Sequence, residues 1–313
     1  MKIHAIFNAT ALLASLTLST QANPNNYTAR TFTSGSKSVN YRIFVPANYS
    51  ATKKYPFMLA LHGAGESGSD NISQLKHDFT NMWSDDAVQA KYPSFAVAPQ
   101  APSSSAGHDQ ALLFLLVASL QKEFSLDSTR LYISGLSMGA IAAWPMITNN
   151  PTKFAAAVPI AGRGDPSKAK ALVNMPIWAF HGAMDQTVLP SGSRDMVNAI
   201  KAAGGTLIKY TEYPNVGHES WIPAGKEPEL VPWIYSQVRG GVLALGGDLF
   251  SGYRPNLNRP VAMGLHRSAQ ILLVDGLGIK GGTFDFRGRA LTIRALGATP
   301  ALPAPALPAA AAQ

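Results

Sequence analysis

The chain predicts an α/β fold on a doubly wound, mostly parallel sheet, and three observations carry that expectation. Short continuous apolar runs, such as Tyr55–Leu61 and residues 95–98, have the pattern of strands covered on both faces. Segments of helical length alternate with them, and residues 110–124 carry an apolar stripe. The alternation continues through the greater part of 313 residues, which favours one large α/β domain over several small ones.

Taken in order, residues 1–22 have the layout of a secretory signal peptide. Lys2 and His4 precede an apolar run at 5–18 that is short for a membrane span, and Thr20-Gln21-Ala22 places small residues at −3 and −1 of a cleavage point. A mature chain starting near Asn23 is therefore expected outside the cytoplasm, secreted or periplasmic. With no cysteine, its stability has to come from an apolar core.

Residues 23–238 are the expected catalytic domain. Alternation in 26–45 predicts two antiparallel edge strands joined near Gly35. The buried strand 55–61 runs into His62-Gly63-Ala64-Gly65-Glu66, and strand 95–98 and helix 110–124 follow. Residues 131–134 form a strand that Gly135 breaks, and small residues from Met138 to Ala143 then suit a helix packed closely on a sheet. Strands at 155–160, 176–180 and 206–213, a helix at 192–203 and a closing helix at 228–238 complete the domain. On such a sheet the site lies at the carboxyl ends of the strands.

Gly135-Leu136-Ser137-Met138-Gly139 matches G-x-S-x-G, the turn that lifts a nucleophilic serine clear of the backbone between a strand and a helix. Serine needs a base to take its proton. His218, in the loop after the last strand, is the candidate. Asp185, after the preceding strand, is the candidate to hold the imidazole in one tautomer. Asp165 lies one strand too early and Asp195 falls inside a helix, so they rank behind it. The order Ser137, Asp185, His218 is the one this strand–turn–helix arrangement calls for. The oxyanion donors expected are the backbone N–H of Met138 and, from the loop after strand 55–61, that of Ala64, with His62 bracing the loop.

The segments LHGAGESG, VAPQAP, RLYISGLSMGA, PIWAFHGAMDQTV, YPNVGHESW and PELVPWIYSQ together resemble the secreted esterases of the α/β-hydrolase superfamily described as predicted peptidases or phospholipase/carboxylesterase-like proteins. They are also similar to dienelactone hydrolases and to feruloyl and polyhydroxybutyrate esterases. The resemblance spans residues 27–238 and implies Ser137 as nucleophile, Asp185 as acid and His218 as base. It also implies Glu66 and Trp221 beside the substrate pocket, although Trp221 equally suits a core position. Relatives often carry cysteine within the segments that here read 98–101 and 159–162, and a second glycine at the position of Ala140. These departures bear on pocket walls more than on the triad.

The expected function is thus cofactor-free hydrolysis of carboxylic esters through an acyl-enzyme. Short-chain or polymer-attached esters of feruloyl or acetyl type are favoured, because no long insertion between Ser137 and His218 supplies a lid. A peptidase of the same fold and a non-catalytic surface-binding protein are the alternatives. No metal is expected, since His62, His77, His108 and His181 lack ligand spacing, and no nucleotide-binding glycine motif occurs. Arg163-Gly164-Asp165 reads as a coincidental adhesion tripeptide. The chain's basic excess is concentrated in its tail: residues 239–313 hold eight Lys and Arg against three acidic residues. Neither nucleic acid nor stable membrane insertion is expected of the catalytic domain, and the sequence leaves the oligomeric state open.

After residue 238 arginine replaces lysine and glutamate vanishes. Residues 239–297 form a Gly/Arg-rich appendage with short strands expected at 270–274, 282–286 and 290–294. Residues 298–313 are Pro/Ala-rich and expected to be disordered. The appendage reads either as a small β unit for surface attachment or as a segment without a selected fold, and the change in composition favours the second.

Overall fold

The computed structural model describes residues 26–240 and, as backbone, three further strands within 269–295. The expected signal peptide at 1–22, the Pro/Ala-rich end at 298–313 and much of 239–297 lie outside the described residues.

Eight strands form one sheet: β1 (Thr28–Ser34), β2 (Lys37–Phe44), β3 (Tyr55–Leu61), β4 (Phe95–Pro99), β5 (Leu126–Leu136), β6 (Ala156–Ile160), β7 (Ile177–Gly182) and β8 (Ile208–Tyr213). Their order is β1-β2-β4-β3-β5-β6-β7-β8. β1 and β2 form an antiparallel hairpin at one edge, with Gly35 at φ 58° in its turn, and β2 runs antiparallel to β4. Every other pairing is parallel. This is the doubly wound, mostly parallel sheet expected from the alternation of apolar runs and helices.

The period of two along each strand divides the core into two layers. Phe57, Leu59, Val97, Ile133 and Ile177 face one side, where they meet Leu112, Leu116 and Leu120 of α3 (Gln110–Glu123) and Met196, Val197 and Ile200 of α5 (Ser191–Ala202). Met58, Ala96, Tyr132, Val158 and Phe180 face the other, against Phe79, Trp83, Trp221, Leu230 and Ile234. Burying each of the larger aliphatic or aromatic side chains stabilises the fold by roughly 1.5–3 kcal/mol. Apolar residues three and four apart give α3 its buried stripe, and the Asp109 side chain accepts the Leu112 N–H at its first turn.

The second layer is built from pieces too short to show a helical period. Helices α1 (Asp78–Asn81) and α2 (Asp86–Lys91) and three 3-10 turns fill the connection from β3 to β4. Helices α6 (Trp221–Ala224) and α7 (Leu230–Tyr235) follow β8. The closing helix expected at 228–238 is therefore six residues long. Strand β5 begins five residues before the apolar run that marked it, through the polar stretch Leu126 to Arg130. Helix α4 (Met138–Asn149) follows β5 directly and outlasts the small-residue segment that predicted it.

A second compact unit, Gly246–Gln313, contains three antiparallel strands, β9 (Ala269–Asp275), β10 (Gly278–Phe284) and β11 (Ala290–Ala295), in the order β11-β10-β9. Among the described residues no helix is long and apolar enough to cross a membrane.

Candidate active site

Ser137 stands between β5 and α4 at φ 52° and ψ −118°, a backbone conformation that costs a non-glycine residue of order 1–3 kcal/mol. Neighbouring segments hold it there. Its N–H donates to Ile160 O of β6 at 2.9 Å, and its carbonyl accepts the Ile141 N–H at 2.9 Å, starting α4. The flanking glycines are needed because backbones meet at this point. A Cβ on Gly139 would lie 2.2 Å from Leu61 O, and one on Gly135 2.5 Å from Gly139 C.

Asp185 follows β7 and His218 follows β8. Two backbone hydrogen bonds join their loops, from Ala183 N–H to Tyr213 O at 2.9 Å and from Met184 N–H to Val216 O at 3.0 Å. The approach is close enough that a Cβ on Gly182 would sit 2.1 Å from Gly217 O.

These turns bring the three side chains into line. His218 Nε2 lies 2.9 Å from Ser137 Oγ, and His218 Nδ1 lies 2.7 Å from Asp185 Oδ2. A proton on Nδ1 donates to the carboxylate and leaves the Nε2 lone pair facing the serine hydroxyl. Asp185 is 2% exposed. Burial by itself would push its carboxyl up, but hydrogen bonds from His218 and from the Val188 and Thr187 N–H groups hold it below the usual carboxylate range. Such an arrangement can take a proton from an alcohol as that alcohol attacks a carbonyl, and can stabilise the imidazolium that results. Asp165 and Asp195 are exposed and stand apart: Asp165 caps a 3-10 turn through Ser167, and Asp195 lies on α5.

Met138 is the first residue of α4 and Ala64 the first of a 3-10 turn, so neither N–H has a carbonyl partner within its own helix. The loop bearing Ala64 presses on the elbow, since a Cβ on Gly63 would meet Leu136 Cδ1 at 2.8 Å and Ser137 Cβ at 3.5 Å. His62 lies fully buried beneath this loop. Its Nδ1 is 2.6 Å from Gly63 O, and its Nε2 accepts the Ala101 N–H at 2.9 Å. Burial pushes its imidazole pKa down. His108 packs against the ring at 4.6 Å between centroids and makes a 3.1 Å hydrogen bond to His62 O.

Trp221 lies beside His218, Glu66 is joined to Trp221 through His77, and both are buried. The Trp221 ring stands edge to face with His218 at 5.2 Å and reaches His77 at 5.3 Å on its other side. His77 Nε2 is 3.1 Å from Glu66 Oε1. Burial would raise the Glu66 carboxyl pKa, but the hydrogen bond and charge of His77 outweigh it. Trp221 is thus a core residue of the second layer that also walls the histidine.

Sequence reasoning passed over His181. Its ring is fully buried, with Nε2 3.1 Å from Asp185 Oδ2 and 2.8 Å from Val188 O, and Nδ1 2.7 Å from Ser193 Oγ. The available signal was its place four residues before Asp185 at the end of a buried strand. A search for metal-ligand spacing does not detect that relation. Among the described residues no group of three or more His, Asp or Glu is placed to hold a metal ion.

The model of the family described as "Esterase: Putative esterase" matches residues 34–233. A solved thermostable esterase shares the fold at 34% sequence identity and a TM-score of 0.64, over 69% of this chain and 64% of that one. The probable feruloyl esterase C of Aspergillus terreus is 24% identical over 196 residues, 60% of this chain and 71% of that protein. The bifunctional acetylxylan esterase/xylanase of Neocallimastix patriciarum is 23% identical over 146 residues, 47% of this chain and 21% of that protein. The chain therefore spans about a fifth of the length of the bifunctional enzyme and under two thirds of the thermostable esterase.

Proposed function

The chain belongs to the Esterase family, and on that premise we propose that it hydrolyses carboxylic esters with Ser137 as nucleophile, His218 as general base and acid, and Asp185 as the group that orients His218. The observation that carries this reading is the unbroken line from Asp185 Oδ2 through His218 to Ser137 Oγ, at 2.7 and 2.9 Å. As Ser137 Oγ bonds to the ester carbonyl carbon, its proton passes to His218 Nε2. The carbonyl oxygen gains negative charge opposite the Met138 and Ala64 N–H groups. When the intermediate collapses, His218 returns the proton to the departing alcohol oxygen and an acyl-serine remains. Water, deprotonated by the same Nε2, then releases the acid and restores the hydroxyl.

The substrates proposed are short-chain esters or feruloyl- and acetyl-type esters carried on a polymer. The His218 side chain keeps 21% of its surface exposed, so among the described residues no lid covers the reacting centre. Relatives named for feruloyl and acetylxylan ester cleavage point the same way. Glu66 and Trp221 are proposed to shape the pocket wall. We assign the catalytic domain to 23–238, residues 1–22 to an export signal and the localisation to the secreted or periplasmic space. Of the tail, 239–297 is proposed as a dispensable appendage.

A fluorophosphonate probe should label Ser137, and p-nitrophenyl acetate or butyrate should be cleaved faster than long-chain esters. An unlabelled, inactive wild-type protein would overturn the assignment. Faster cleavage of an amide than of the ester with the same acyl group would make it a peptidase.

A further inference from the structure

From the hydrogen bonds around Asp185 we infer that His181, held by Ser193, is a positioning residue that fixes the carboxylate against His218. The inference rests on the triad reading above and adds to it a residue that the serine-to-aspartate line does not contain.

A carboxylate tied to a single histidine can rotate about its Cβ–Cγ bond and lose the linear contact. Asp185 is secured at both oxygens. Oδ1 accepts the N–H groups of Thr187 at 2.8 Å and Val188 at 3.0 Å. Oδ2, which receives His218 Nδ1–H, also faces His181 Nε2 at 3.1 Å. Because His181 Nε2 reaches Val188 O at 2.8 Å as well, the proton on that nitrogen anchors both the carboxylate and the loop whose N–H groups grip its other oxygen. The opposite nitrogen decides whether Nε2 carries that proton. Ser193 Oγ lies 2.7 Å from His181 Nδ1 and 3.2 Å from Gly162 O. Donation along the shorter contact occupies the Nδ1 lone pair and leaves the hydrogen on Nε2, aimed at Asp185. Ser193 sits on α5 and is fully buried, so the helix packed on the sheet sets the tautomer of a residue at the end of β7.

Few other charges reach this relay. Glu212 on β8 pairs with His181 in strand register, but its carboxylate is engaged by Arg194 and Tyr210. Beyond His218 stand Trp221 and then the Glu66–His77 pair, and Glu219 is exposed. None of these donates to Asp185. Losing the His181 donor should therefore concentrate charge on Oδ2, strengthen the His218 imidazolium and move the acidic limb of the kcat/KM profile to higher pH.

His181→Phe keeps a ring and removes the donor, whereas His181→Gln restores an N–H near the place of Nε2. The expected result for the first is a fall in kcat of about 10- to 100-fold, the range a charge-assisted hydrogen bond supports, with KM little changed. The acidic limb should rise by about half a pH unit or more, and His181→Gln should recover most of both effects. Ser193→Ala should move kcat and the limb in the same direction by less, and it provides the test if the phenylalanine variant does not fold. Folded variants with the wild-type kcat and pH profile would overturn the inference. So would a glutamine variant as impaired as phenylalanine, which would reduce the role of His181 to packing. Fluorophosphonate labelling of the wild type separates the two claims, because absent labelling removes the triad reading itself.

Discussion

The elbow at Ser137 and the paired loops carrying Asp185 and His218 meet within 3 Å, yet different forces hold them. The elbow is positioned by exclusion: a strained φ of 52°, glycines where backbones collide without them, and a helix that starts at once. The loops are positioned by attraction, through backbone bonds between them and a hydrogen-bonded chain from Ser193 through His181 to Asp185. Exclusion leaves its mark in consecutive residues. Attraction draws on residues scattered through β7, α5 and β8.

The largest effects should come from the reacting atoms and should differ across that divide. Ser137→Ala deletes the proposed nucleophile but keeps the Cβ that the elbow accommodates. Activity should fall about 10⁶-fold while the melting temperature stays near that of the wild type. Asp185→Asn should cost about 10⁴-fold in kcat, because an amide N–H facing His218 Nδ1 favours the wrong tautomer. Fluorophosphonate labelling should vanish in the first variant and merely slow in the second. Equal losses, or labelling retained in Ser137→Ala, would break the assignment of roles.

The same divide explains what could be read from the sequence. The strand-to-helix turn at Ser137 was legible because Gly135, Ser137 and Gly139 impose it locally, and strands β3 and β4 because burial on both faces leaves an unbroken apolar run. Asp185 and His218 were legible as candidates through their places after consecutive strands. His181 was not, because its role depends on a hydroxyl twelve residues away on a helix and on a loop carbonyl. Helices α1, α2 and α6 escaped because four to six residues complete no amphipathic period, whereas α7 was expected at 228–238 and is only shorter than that. The first half of β5 escaped because residues 127–130 carry no apolar run, and only Leu126 pairs, with Tyr55, before the register shifts. For Trp221 the sequence left core and pocket as alternatives, and the ring lies buried in one layer while its edge-to-face contact walls His218.

Glycine substitutions sharpen the comparison at intermediate size. Gly139→Ala would drive a methyl into Leu61 O and should destabilise the domain by about 1–3 kcal/mol, read as a lower denaturant midpoint. Gly182→Ala meets Gly217 O and Val216 O instead, so it should separate the acid and base loops. Its stability loss should be similar, but its kcat should fall further at a labelling-competent Ser137. Gly65→Ala, with nothing within 4 Å of the added carbon, should change neither.

The last expected effect depends on pH and concerns the loop that carries Ala64, where His108 hydrogen-bonds the carbonyl of His62. Burial, and then the neighbouring His62, pushes the His108 imidazole down from 6.5 to about 3, so the folded protein keeps it neutral through mild acid. The unfolded chain protonates the same group near its ordinary value. Between those two values the unfolded state binds more protons, and the stability contributed by neutral His108 is full above about pH 6.5 and lost as pH falls towards 3. From pH 7 to pH 5 this one group should remove about 2 kcal/mol of unfolding free energy. His108→Gln keeps a donor for His62 O and has no titration in that window, so its denaturation midpoint should vary less with pH than that of the wild type. If the two curves run parallel from pH 7 to 5, acid sensitivity lies outside the histidine pair.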